Sequence, residues 1–377
     1  REAKKVLDTL ETDDIPENRK VNVIAIMLEA FADFSGYEQI SFSEENNPYE
    51  EYKEIEKNSY YGKLITNIFA GGTVSTERRF ITGADVLPSL RKNVPSYARY
   101  FDEQGYRVEG SHPCYQWFYN RININENLGF EKYDFYENRY SELADGEIAS
   151  DDILFAELYR DLMKSIDDNQ LYFNFSVTYQ NHGPYGTADW YGIPYVENKR
   201  FYKDEEYNIL NNYFGGIKST GIELQKFINT IDSLESPTVV IAFGDHKPWL
   251  GDGNSVYEML DIKFDLQTEE GIENYYSTPY FIHANNSAKS VLGNEFVGKG
   301  PTISPNYLMN EFFKLANWGG PSFMKVANQI KKYIPIVTNG IFYENRKYTN
   351  ELSEEGQKKW DEYKNIEHYY LNDYSIE

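Results

Sequence analysis

The 377-residue sequence has one cysteine, five histidines and no long apolar run. Cys114 alone excludes an intramolecular disulfide bond and a metal site built from several thiolates. No stretch approaches the ~20 consecutive apolar residues that a membrane-spanning helix needs, and no signal peptide is visible. Positive charge is also scarce, because 37 basic residues face 60 acidic ones and the net charge is −23. This balance argues against nucleic acid as a partner and against a polybasic membrane patch.

The composition otherwise fits a folded α/β protein. Hydrophobic residues make up 41% of the chain, which is enough for a buried core. The 34 tyrosines suit half-buried surfaces and sugar-like ligands, although an ordinary compositional bias explains them equally well. The sequence begins at Arg1 without an initiator methionine, so we expect a longer protein whose membrane anchor lies upstream of Arg1.

Three apolar runs of strand length, 21–28, 171–177 and 238–243, predict buried parallel strands. A weaker strand at 106–110 follows a helical segment that stops near Gly105. The alternation of helix and strand is typical of a doubly wound sheet. We therefore predict a three-layer α/β/α sandwich with a mostly parallel central sheet.

The ends of the chain have a different character from its middle. Residues 1–20 are charged and contain Pro16, so they predict an N-terminal lead-in helix or linker. Residues 21–317 form the predicted main domain. Residues 318–377 predict a small C-terminal α+β subdomain with a hairpin at 334–347.

Polar, chemically capable residues follow each of the three apolar strands. Glu29 follows the first, Asn181-His182 follows the second, and Asp245-His246 follows the third. Ligands of open α/β sheets bind beyond the carboxyl ends of the strands. The sequence therefore predicts that these residues share one site.

The Asp245-His246 pair offers a carboxylate and an imidazole, a combination that Mn²⁺ or Zn²⁺ accepts. The alternative is an aspartate that caps the next helix beside an incidental histidine. Glu29 follows apolar residues directly, where an unpaired buried carboxylate would be costly. A solvent-facing glutamate at a helix start explains Glu29 equally well.

A glycine pair, Gly71-Gly72, precedes Thr73 and a predicted helix. Glycines allow close approach of a ligand, and the N–H groups of a helix N-terminus favour an anion. A hydroxyl there becomes a nucleophile if a metal lowers its pKa. Ordinary helix capping by Thr73 or Ser75 is the competing explanation, and both roles are compatible.

Further candidates follow the weaker strand. Arg121 suits bidentate binding of phosphate oxygens, and His112 and His182 suit phosphate binding or proton transfer. Tyr119 lies between His112 and Arg121. Taken singly, each histidine also fits a structural or solvent-exposed role. Cys114 does not lie in a Cys-x-Pro-x-Arg motif, which disfavours formylglycine sulfatase chemistry.

Together these motifs resemble the extracellular catalytic domain of lipoteichoic acid synthases and related bacterial phosphoglycerol transferases. That family lies in the sulfatase-like branch of the alkaline-phosphatase superfamily, and the resemblance covers roughly residues 20–320. The motifs that carry it are Asn22–Glu29, Gly72–Glu77 with Ile81-Thr82-Gly83, His112 with Tyr119-Asn120-Arg121, Asn181-His182 and Gly244-Asp245-His246.

The resemblance implies a divalent cation, Mn²⁺ with Zn²⁺ or Mg²⁺ as alternatives. Its implied ligands are Glu29, Thr73, Asp245 and His246, and its implied substrate residues are His112, Tyr119, Arg121 and His182. Within the family's Thr-x-x-Thr/Ser-Glu register, Thr73 is the nucleophile. The chain departs from the family where Tyr119 replaces a frequent Trp and where Arg78-Arg79 follow the Glu. Those arginines either extend an anion groove or pair with surface acids.

The implied reaction is transfer of phosphoglycerol from a phosphatidylglycerol-like lipid through a phospho-threonine at Thr73. Arg121, His112 and the cation neutralise the phosphoryl oxygens, and His182 protonates the leaving alcohol. A glycerol, glycolipid or polysaccharide hydroxyl is the acceptor, at the extracellular face of a bacterial membrane. The alternatives are a phosphodiesterase or a phosphoethanolamine-type transferase on the same scaffold, and an inactive binding module for anionic cell-wall polymers.

Overall fold

The computed structural model describes residues 1–188 and 192–373. Within them the strands are β1 (Asn22–Leu28), β2 (Tyr60–Ile65), β3 (Arg107–Ser111), β4 (Lys132–Asp134), β5 (Tyr172–Val177), β6 (Thr238–Gly244), β7 (Ser277–Ala284), β8 (Gly298–Lys299), β9 (Ile336–Thr338), β10 (Ile341–Glu344) and β11 (Lys347–Thr349). The final four residues of the predicted subdomain 318–377 lie outside the described residues.

The same ranges contain α-helices and a few tighter or wider turns. The helices are α1 (Glu2–Leu10), α2 (Glu50–Lys57), α3 (Thr73–Thr82), α4 (Tyr97–Glu103), α5 (Arg121–Leu128), α6 (Ser141–Leu143), α7 (Asp151–Asp167), α8 (Asp204–Asp232), α9 (Ser255–Met259), α10 (Glu269–Tyr276), α11 (Asn286–Leu292), α12 (Leu308–Ala316), α13 (Ser322–Lys331) and α14 (Glu354–Asn372). Short 3₁₀ segments cover Glu17–Arg19, Phe118–Asn120, Asp252–Asn254 and Pro305–Tyr307, and a π-helical turn covers Tyr136–Tyr140.

The large sheet has the strand order β4-β3-β5-β1-β6-β7-β2-β8. Its five strands from β4 to β6 run parallel, whereas β7 is antiparallel to both β6 and β2. The central strand β1 pairs Met27 with Val177 of β5 and Leu28 with Gly244 of β6. This register aligns the carboxyl ends of the three apolar strands, as the sequence predicts.

Strand β1 is buried on both faces, which explains its continuous apolar sequence. Because side chains alternate along a strand, Val23 and Met27 join a core with residues of α3, α4, α12 and α13. Ile24 and Leu28 point the other way, into a core with residues of α2, α7 and α8. Helices therefore cover both faces of the sheet, and the predicted three-layer sandwich is confirmed.

A small antiparallel sheet follows near the C-terminus, in the order β11-β10-β9. The hairpin predicted at 334–347 is confirmed as the antiparallel pair β9 and β10, and the prediction missed a third strand, β11, which pairs with β10 and extends to Thr349. Helix α1 packs against α13 and α14, and Lys325 Nζ lies 2.9 Å from Asp13 Oδ2. The predicted lead-in thus contacts the C-terminal part of the chain, while the boundaries at 20 and 317 stay predictions.

None of the helices in the described part of the chain combines the length and apolar character that a bilayer crossing requires.

Gly244, the last residue of β6, brings two strand ends together. A Cβ atom added there would lie 1.9 Å from the carbonyl oxygen of Phe31 and 3.1 Å from Cβ of Thr278. A backbone oxygen cannot move aside without shifting the turn after β1. The close approach of the Glu29–Phe31 turn to Asp245 therefore requires glycine at position 244.

We expect Gly244→Ala to lower the free energy of unfolding by about 1–3 kcal/mol, since the extra methyl overpacks a rigid contact. Urea unfolding measures this loss. Gly36→Ala is the matched control, because an added Cβ at Gly36 meets nothing within 4 Å. Equal stability of the two variants would contradict the close-packing argument.

Candidate active site

Four predicted side chains meet at the carboxyl edge of the sheet. Glu29 follows β1, Asp245 and His246 follow β6, and Thr73 is the first residue of α3. The hydroxyl oxygen of Thr73 lies 3.0 Å from Asp245 Oδ2 and 3.4 Å from both Glu29 Oε2 and His246 Nε2. All four residues are buried. The structure thus brings together residues that are up to 217 positions apart in sequence.

Glu29, Asp245 and His246 could hold a metal ion, since one ligand atom from each lies within 4.8 Å of the others. Oδ1 of Asp245 accepts hydrogen bonds from the backbone N–H groups of Ala30 and His246, both at 2.7 Å. The second oxygen, Oδ2, therefore faces Thr73. Two carboxylates, an imidazole and a hydroxyl form a mixed oxygen and nitrogen set that suits Mn²⁺ or Zn²⁺.

The orientation of His246 fits the same role. Its Nδ1 lies 2.8 Å from the carbonyl oxygen of Lys247. A carbonyl only accepts hydrogen bonds, so Nδ1 carries a proton and Nε2 points at the carboxylates, where its lone pair would be available to a metal ion in place of a second proton. A backbone partner on the far nitrogen is the usual support of a metal-binding histidine.

The electrostatics of this cluster also favour a cation. Burial, together with the neighbouring Glu29, raises the pKa of Asp245 well above its ordinary value. Burial disfavours the imidazolium form of His246, but Asp245 and Glu29 outweigh it and raise the pKa of His246 to about 9. The two facing carboxylates therefore concentrate negative charge that a divalent cation would neutralise.

Residues that the sequence does not reveal shape the turn after β1. Ala30 adopts a left-handed backbone conformation (φ 49°), which costs energy for a residue with a Cβ. The Tyr213 hydroxyl on α8 donates to the carbonyl of Ala30 at 2.6 Å and accepts from the N–H of Ala32 at 3.2 Å. Thr178 Oγ1 accepts from the N–H of Glu29 at 2.9 Å. These bonds hold the strained turn that aims Glu29 at the site.

Helix α3 is tied directly to the candidate metal-ligand group, which consists of Glu29, Asp245 and His246. Gly72, its N-cap, has φ 75°, a conformation that suits glycine. Thr76 Oγ1 donates to the carbonyl of Asp245 at 2.7 Å, and the N–H of Ala70 donates to the carbonyl of Lys247 at 3.1 Å. Thr73 is therefore held in place by the same backbone segment that supplies Asp245.

Arg121 lies beside this group and is anchored by a residue whose role sequence reasoning missed. Its Nη2 donates to Glu77 Oε2 at 2.8 Å, and its Nε lies 3.2 Å from both oxygens of that carboxylate. Burial opposes the charge of Glu77, but Arg121 outweighs it and lowers the pKa of Glu77 to about 2. The guanidinium also lies 5.4 Å from the ring centre of Tyr119. Glu77 and Tyr119 thus orient a cation that lines the cleft.

His112 is buried, and its Nδ1 lies 2.9 Å from the carbonyl oxygen of Val177. Burial and the charge of Arg121 lower the pKa of His112 to about 3. The imidazole is therefore neutral, with Nδ1 protonated and Nε2 free to accept. This state suits a substrate hydroxyl, so the neutralising charge expected from His112 falls to Arg121 instead.

His182 lies in the turn after β5. Its ring is stacked on Tyr179, with 4.8 Å between the ring centres, and its Nδ1 lies 2.6 Å from the carbonyl oxygen of Gly183. Behind it, Asn181 Nδ2 donates to Thr220 Oγ1 at 2.9 Å, which in turn donates to Asp151 Oδ2 at 2.5 Å. A buried network from α7 and α8 therefore braces the turn that carries His182.

The site opens into a cleft of about 460 Å³. Predicted residues lining it are Glu29, Thr73, His112, Tyr119, Arg121, His182 and His246. Sequence reasoning missed the aromatic lining residues Phe118, Tyr179, Tyr185 and Trp249. Trp249 follows Asp245 by four residues, so its position just past a functional strand end was the available signal.

Arg78 and Arg79 do not line the cleft. Both are buried, and Arg79 pairs with Asp85 at 2.9 Å and with the carbonyl of Val337 at 3.2 Å. Of the two alternatives, the anion groove is therefore wrong, and Arg79 pairs with an acid as the other alternative holds, although this pairing is buried on the arginine side.

A helix-borne threonine beside two carboxylates and a histidine, at the carboxyl edge of this sheet, forms the candidate active site. Residues 21–318 match the family model described as Sulfatase. The chain belongs to the Sulfatase family.

A curated relative extends this comparison. Over 320 residues the chain is 26% identical to a Rhizobium meliloti (strain 1021) protein named "Putative cyclic beta-1,2-glucan modification protein". The match covers 81% of this chain and 47% of the relative. The chain therefore spans about half the length of that relative.

Solved structures share the fold at low sequence identity. Streptococcus pyogenes phosphoglycerol transferase GacH, in complex with sn-glycerol-1-phosphate, has a TM-score of 0.71 and 19% identity, covering 98% of this chain and 91% of its own. Lipoteichoic acid synthase LtaP from Listeria monocytogenes has a TM-score of 0.62 and 18% identity, and the match covers 98% of this chain and 97% of LtaP. The C-terminal periplasmic domain of EptC from Escherichia coli has a TM-score of 0.53 and 11% identity, and the match covers 81% of this chain and 85% of that domain.

We expect Mn²⁺ to stabilise the protein by about 2.7 kcal/mol at a hundredfold excess over its dissociation constant. Asp245→Asn should lose this gain, because Oδ2 is replaced by an amide nitrogen. In EDTA the same variant should be more stable than the unsubstituted protein, since the repulsion between buried carboxylates is removed. Thermal unfolding with Mn²⁺ and with EDTA measures both effects.

Asp252→Asn is the matched control, because Asp252 lines the cleft outside the metal-ligand group. It should keep the Mn²⁺ gain. A full gain in Asp245→Asn would contradict the assignment of Asp245 as a ligand.

Asp151 should make stability depend on pH. Burial, partly offset by the Thr220 hydrogen bond, raises the pKa of Asp151 to about 7 from 3.8. Above pH 4 the unfolded chain releases this proton while the folded protein keeps it until about pH 7. The protein therefore loses about 4 kcal/mol relative to Asp151→Asn as the pH rises from 4 to 7. Urea unfolding of both proteins across this range measures the difference.

The exposed neighbour Asp152 supplies the control, and Asp152→Asn should show a much smaller change over the same range. If the free energies of unfolding of Asp151→Asn and of the unsubstituted protein differ by the same amount at every pH, Asp151 is not protonated in the folded protein.

Proposed function

We propose that the chain is a metal-dependent phosphoglycerol transferase that forms a phospho-threonine at Thr73. The observation that carries this proposal is the position of Thr73 Oγ1, 3.0 Å from Asp245 Oδ2 and 3.4 Å from Glu29 and His246. No other role explains a buried hydroxyl at a helix start surrounded by two carboxylates and an imidazole as economically. Its location at the extracellular face of a bacterial membrane, on an anchored protein, is part of the same proposal.

Glu29, Thr73, Asp245 and His246 would hold the cation, for which Mn²⁺ is our first choice. A bound divalent cation supplies Lewis-acid stabilisation of the phosphoryl group and lowers the pKa of the threonine hydroxyl. The N-terminal N–H groups of α3 add a fixed partial positive charge beside the same oxygen.

The remaining catalytic and binding steps are assigned to residues of the protein. Thr73 Oγ, after releasing its hydroxyl proton to solvent, attacks the phosphorus of a phosphatidylglycerol-like donor as an alkoxide. The bond from phosphorus to the lipid alcohol breaks, and His182 gives the departing oxygen its proton. Arg121 binds the phosphoryl oxygens. Neutral His112 accepts a hydrogen bond from a glycerol hydroxyl. A second alcohol then attacks the phosphorus and releases Thr73, with His182 receiving the proton of that alcohol.

A phosphoethanolamine-type transferase is the second candidate. Glu205 and Asp252 line the cleft and offer partners for an ammonium group, and EptC shares the fold. The higher TM-scores of GacH and LtaP favour glycerol. The mass of the enzyme adduct distinguishes the two head groups.

The acceptor in our proposal is a carbohydrate hydroxyl. The name of the Rhizobium meliloti relative, which refers to cyclic beta-1,2-glucan modification, supports this choice. Transfer to a glycan also agrees with an open cleft lined by aromatic rings. Transfer to water instead of a carbohydrate would make the enzyme a phosphodiesterase. Comparing the products formed with and without a carbohydrate acceptor distinguishes the two reactions.

We expect Thr73→Ala to lose at least ~10³-fold in release of diacylglycerol from phosphatidylglycerol with Mn²⁺, because the attacking atom is removed. Mass spectrometry of the unsubstituted protein should show a phosphoglycerol adduct on Thr73. Thr73→Ser keeps a hydroxyl at the same place and should retain both activity and adduct. Full turnover by Thr73→Ala, or an adduct on another residue, would contradict the proposal.

A further inference from the structure

We propose that the loop Tyr115–Tyr119, hereafter the aromatic loop, together with Trp249 binds the sugar rings of a neutral glycan acceptor. This inference rests on the proposed transferase function and adds the place and chemistry of the acceptor. The aromatic loop has the sequence Tyr-Gln-Trp-Phe-Tyr and follows β3. Only its last two residues, Phe118 and Tyr119, line the cleft.

The rings of the aromatic loop form a continuous row that leads out of the cleft. Tyr119 contacts Phe118 edge to face at 4.9 Å between ring centres, and Phe118 lies 5.6 Å from Trp117. Trp117 is stacked on Tyr115 at 5.7 Å, with 9° between the ring planes. Trp117 and Tyr119 are 64% and 44% exposed. Large apolar faces are therefore presented to solvent beside a reactive site.

The backbone holds this row in place. Tyr119 and Asn120 are consecutive residues with left-handed conformations, φ 55° and 54°. Such strain persists where the surrounding structure enforces it, and it concentrates at functional sites. Glu137 accepts from the N–H of Gln116 at 2.9 Å, and the carbonyl of Trp117 accepts from the N–H of Asn120 at 2.8 Å. The exposed rings are thus positioned by the fold.

Trp249 presents a second aromatic face across the site. It follows β6, whereas the aromatic loop follows β3, and the sheet order β3-β5-β1-β6 separates these strands by three spacings, about 14 Å. Glu29 and His182 follow the two strands in between. Trp249 is 57% exposed, and its indole N–H donates to the carbonyl of Gly251 at 2.5 Å. A chain of sugar rings that contacts both faces would cross the reactive centre.

The charge around the aromatic loop determines which kind of ligand can bind there. The aromatic loop carries no lysine or arginine, and Arg121, the next cation along the chain, is buried and paired with Glu77. Glu205 and Asp252 line the cleft nearby, and the whole chain carries −23. An anionic polymer would therefore be repelled from the aromatic loop. A pyranose ring instead offers a flat face of C–H groups to the negative face of an aromatic ring, and its hydroxyls remain hydrated.

The test compares two acceptors with the same donor, phosphatidylglycerol with Mn²⁺. One is a neutral β-1,2-linked gluco-oligosaccharide, which has ring faces, and the other is glycerol, which has none. We expect Trp117→Ala and Trp249→Phe to lower the ratio of glucan transfer to glycerol transfer, about tenfold for Trp117→Ala. Tyr333→Ala, which removes an exposed aromatic outside the cleft, should leave the ratio unchanged.

Binding without turnover separates this inference from the proposed function. Titration calorimetry of the gluco-oligosaccharide into Thr73→Ala, with and without Trp117→Ala, needs no reaction, and loss of binding in the double variant supports the glycan site. If the unsubstituted protein forms no adduct at Thr73 but this loss is seen, the transferase proposal fails and the glycan site stands. An unchanged transfer ratio with unchanged binding overturns the inference. Loss of flotation with phosphatidylglycerol vesicles in Trp117→Ala, at an unchanged ratio, also overturns it and assigns the aromatic loop to the membrane.

Discussion

Two buried carboxylates, from Glu29 and Asp245, face each other at the ends of adjacent strands. In water such groups would separate, but β1 and β6 are paired residue by residue, and Gly244 lets the turn after β1 approach to van der Waals distance. The repulsion is therefore imposed by the sheet and is relieved by the imidazolium of His246 or by a bound cation. The proposed chemistry follows from this arrangement, because the two carboxylates and His246 form a candidate cation site beside the hydroxyl of Thr73.

Much of the surrounding structure serves to hold the two carboxylates and to keep other charges balanced. Tyr213 and Thr178 fix the strained turn at Ala30, and Thr76 connects α3 to the backbone of Asp245. Glu77 pairs with Arg121, so the guanidinium that lines the cleft is held in a fixed orientation. This pairing also reduces the net positive charge that Arg121 presents to the proposed donor, and a bound divalent cation would compensate for the reduction.

The sequence predicted the large-scale fold well for a physical reason. The three apolar runs correspond to β1, β5 and β6 within one residue at either end, because strands covered by helices on both faces must be apolar throughout. The hairpin near residue 340 was only partly right. Strands β9 to β11 are only three or four residues long, and β10 and β11 are partly exposed, so their pairing depends on neighbours more than on their own pattern.

The candidate site could be predicted as a set of strand-end residues, since parallel strands deliver their carboxyl ends to one edge whatever the details. That much was determined by the order of apolar runs and polar termini in the sequence by itself. Only the tertiary structure decided that Arg121 is anchored by Glu77, that His112 is neutral, and that Trp249 lines the cleft together with Phe118 and Tyr119. Those properties depend on burial and on distances between segments far apart in the chain, and a local sequence pattern determines neither of them.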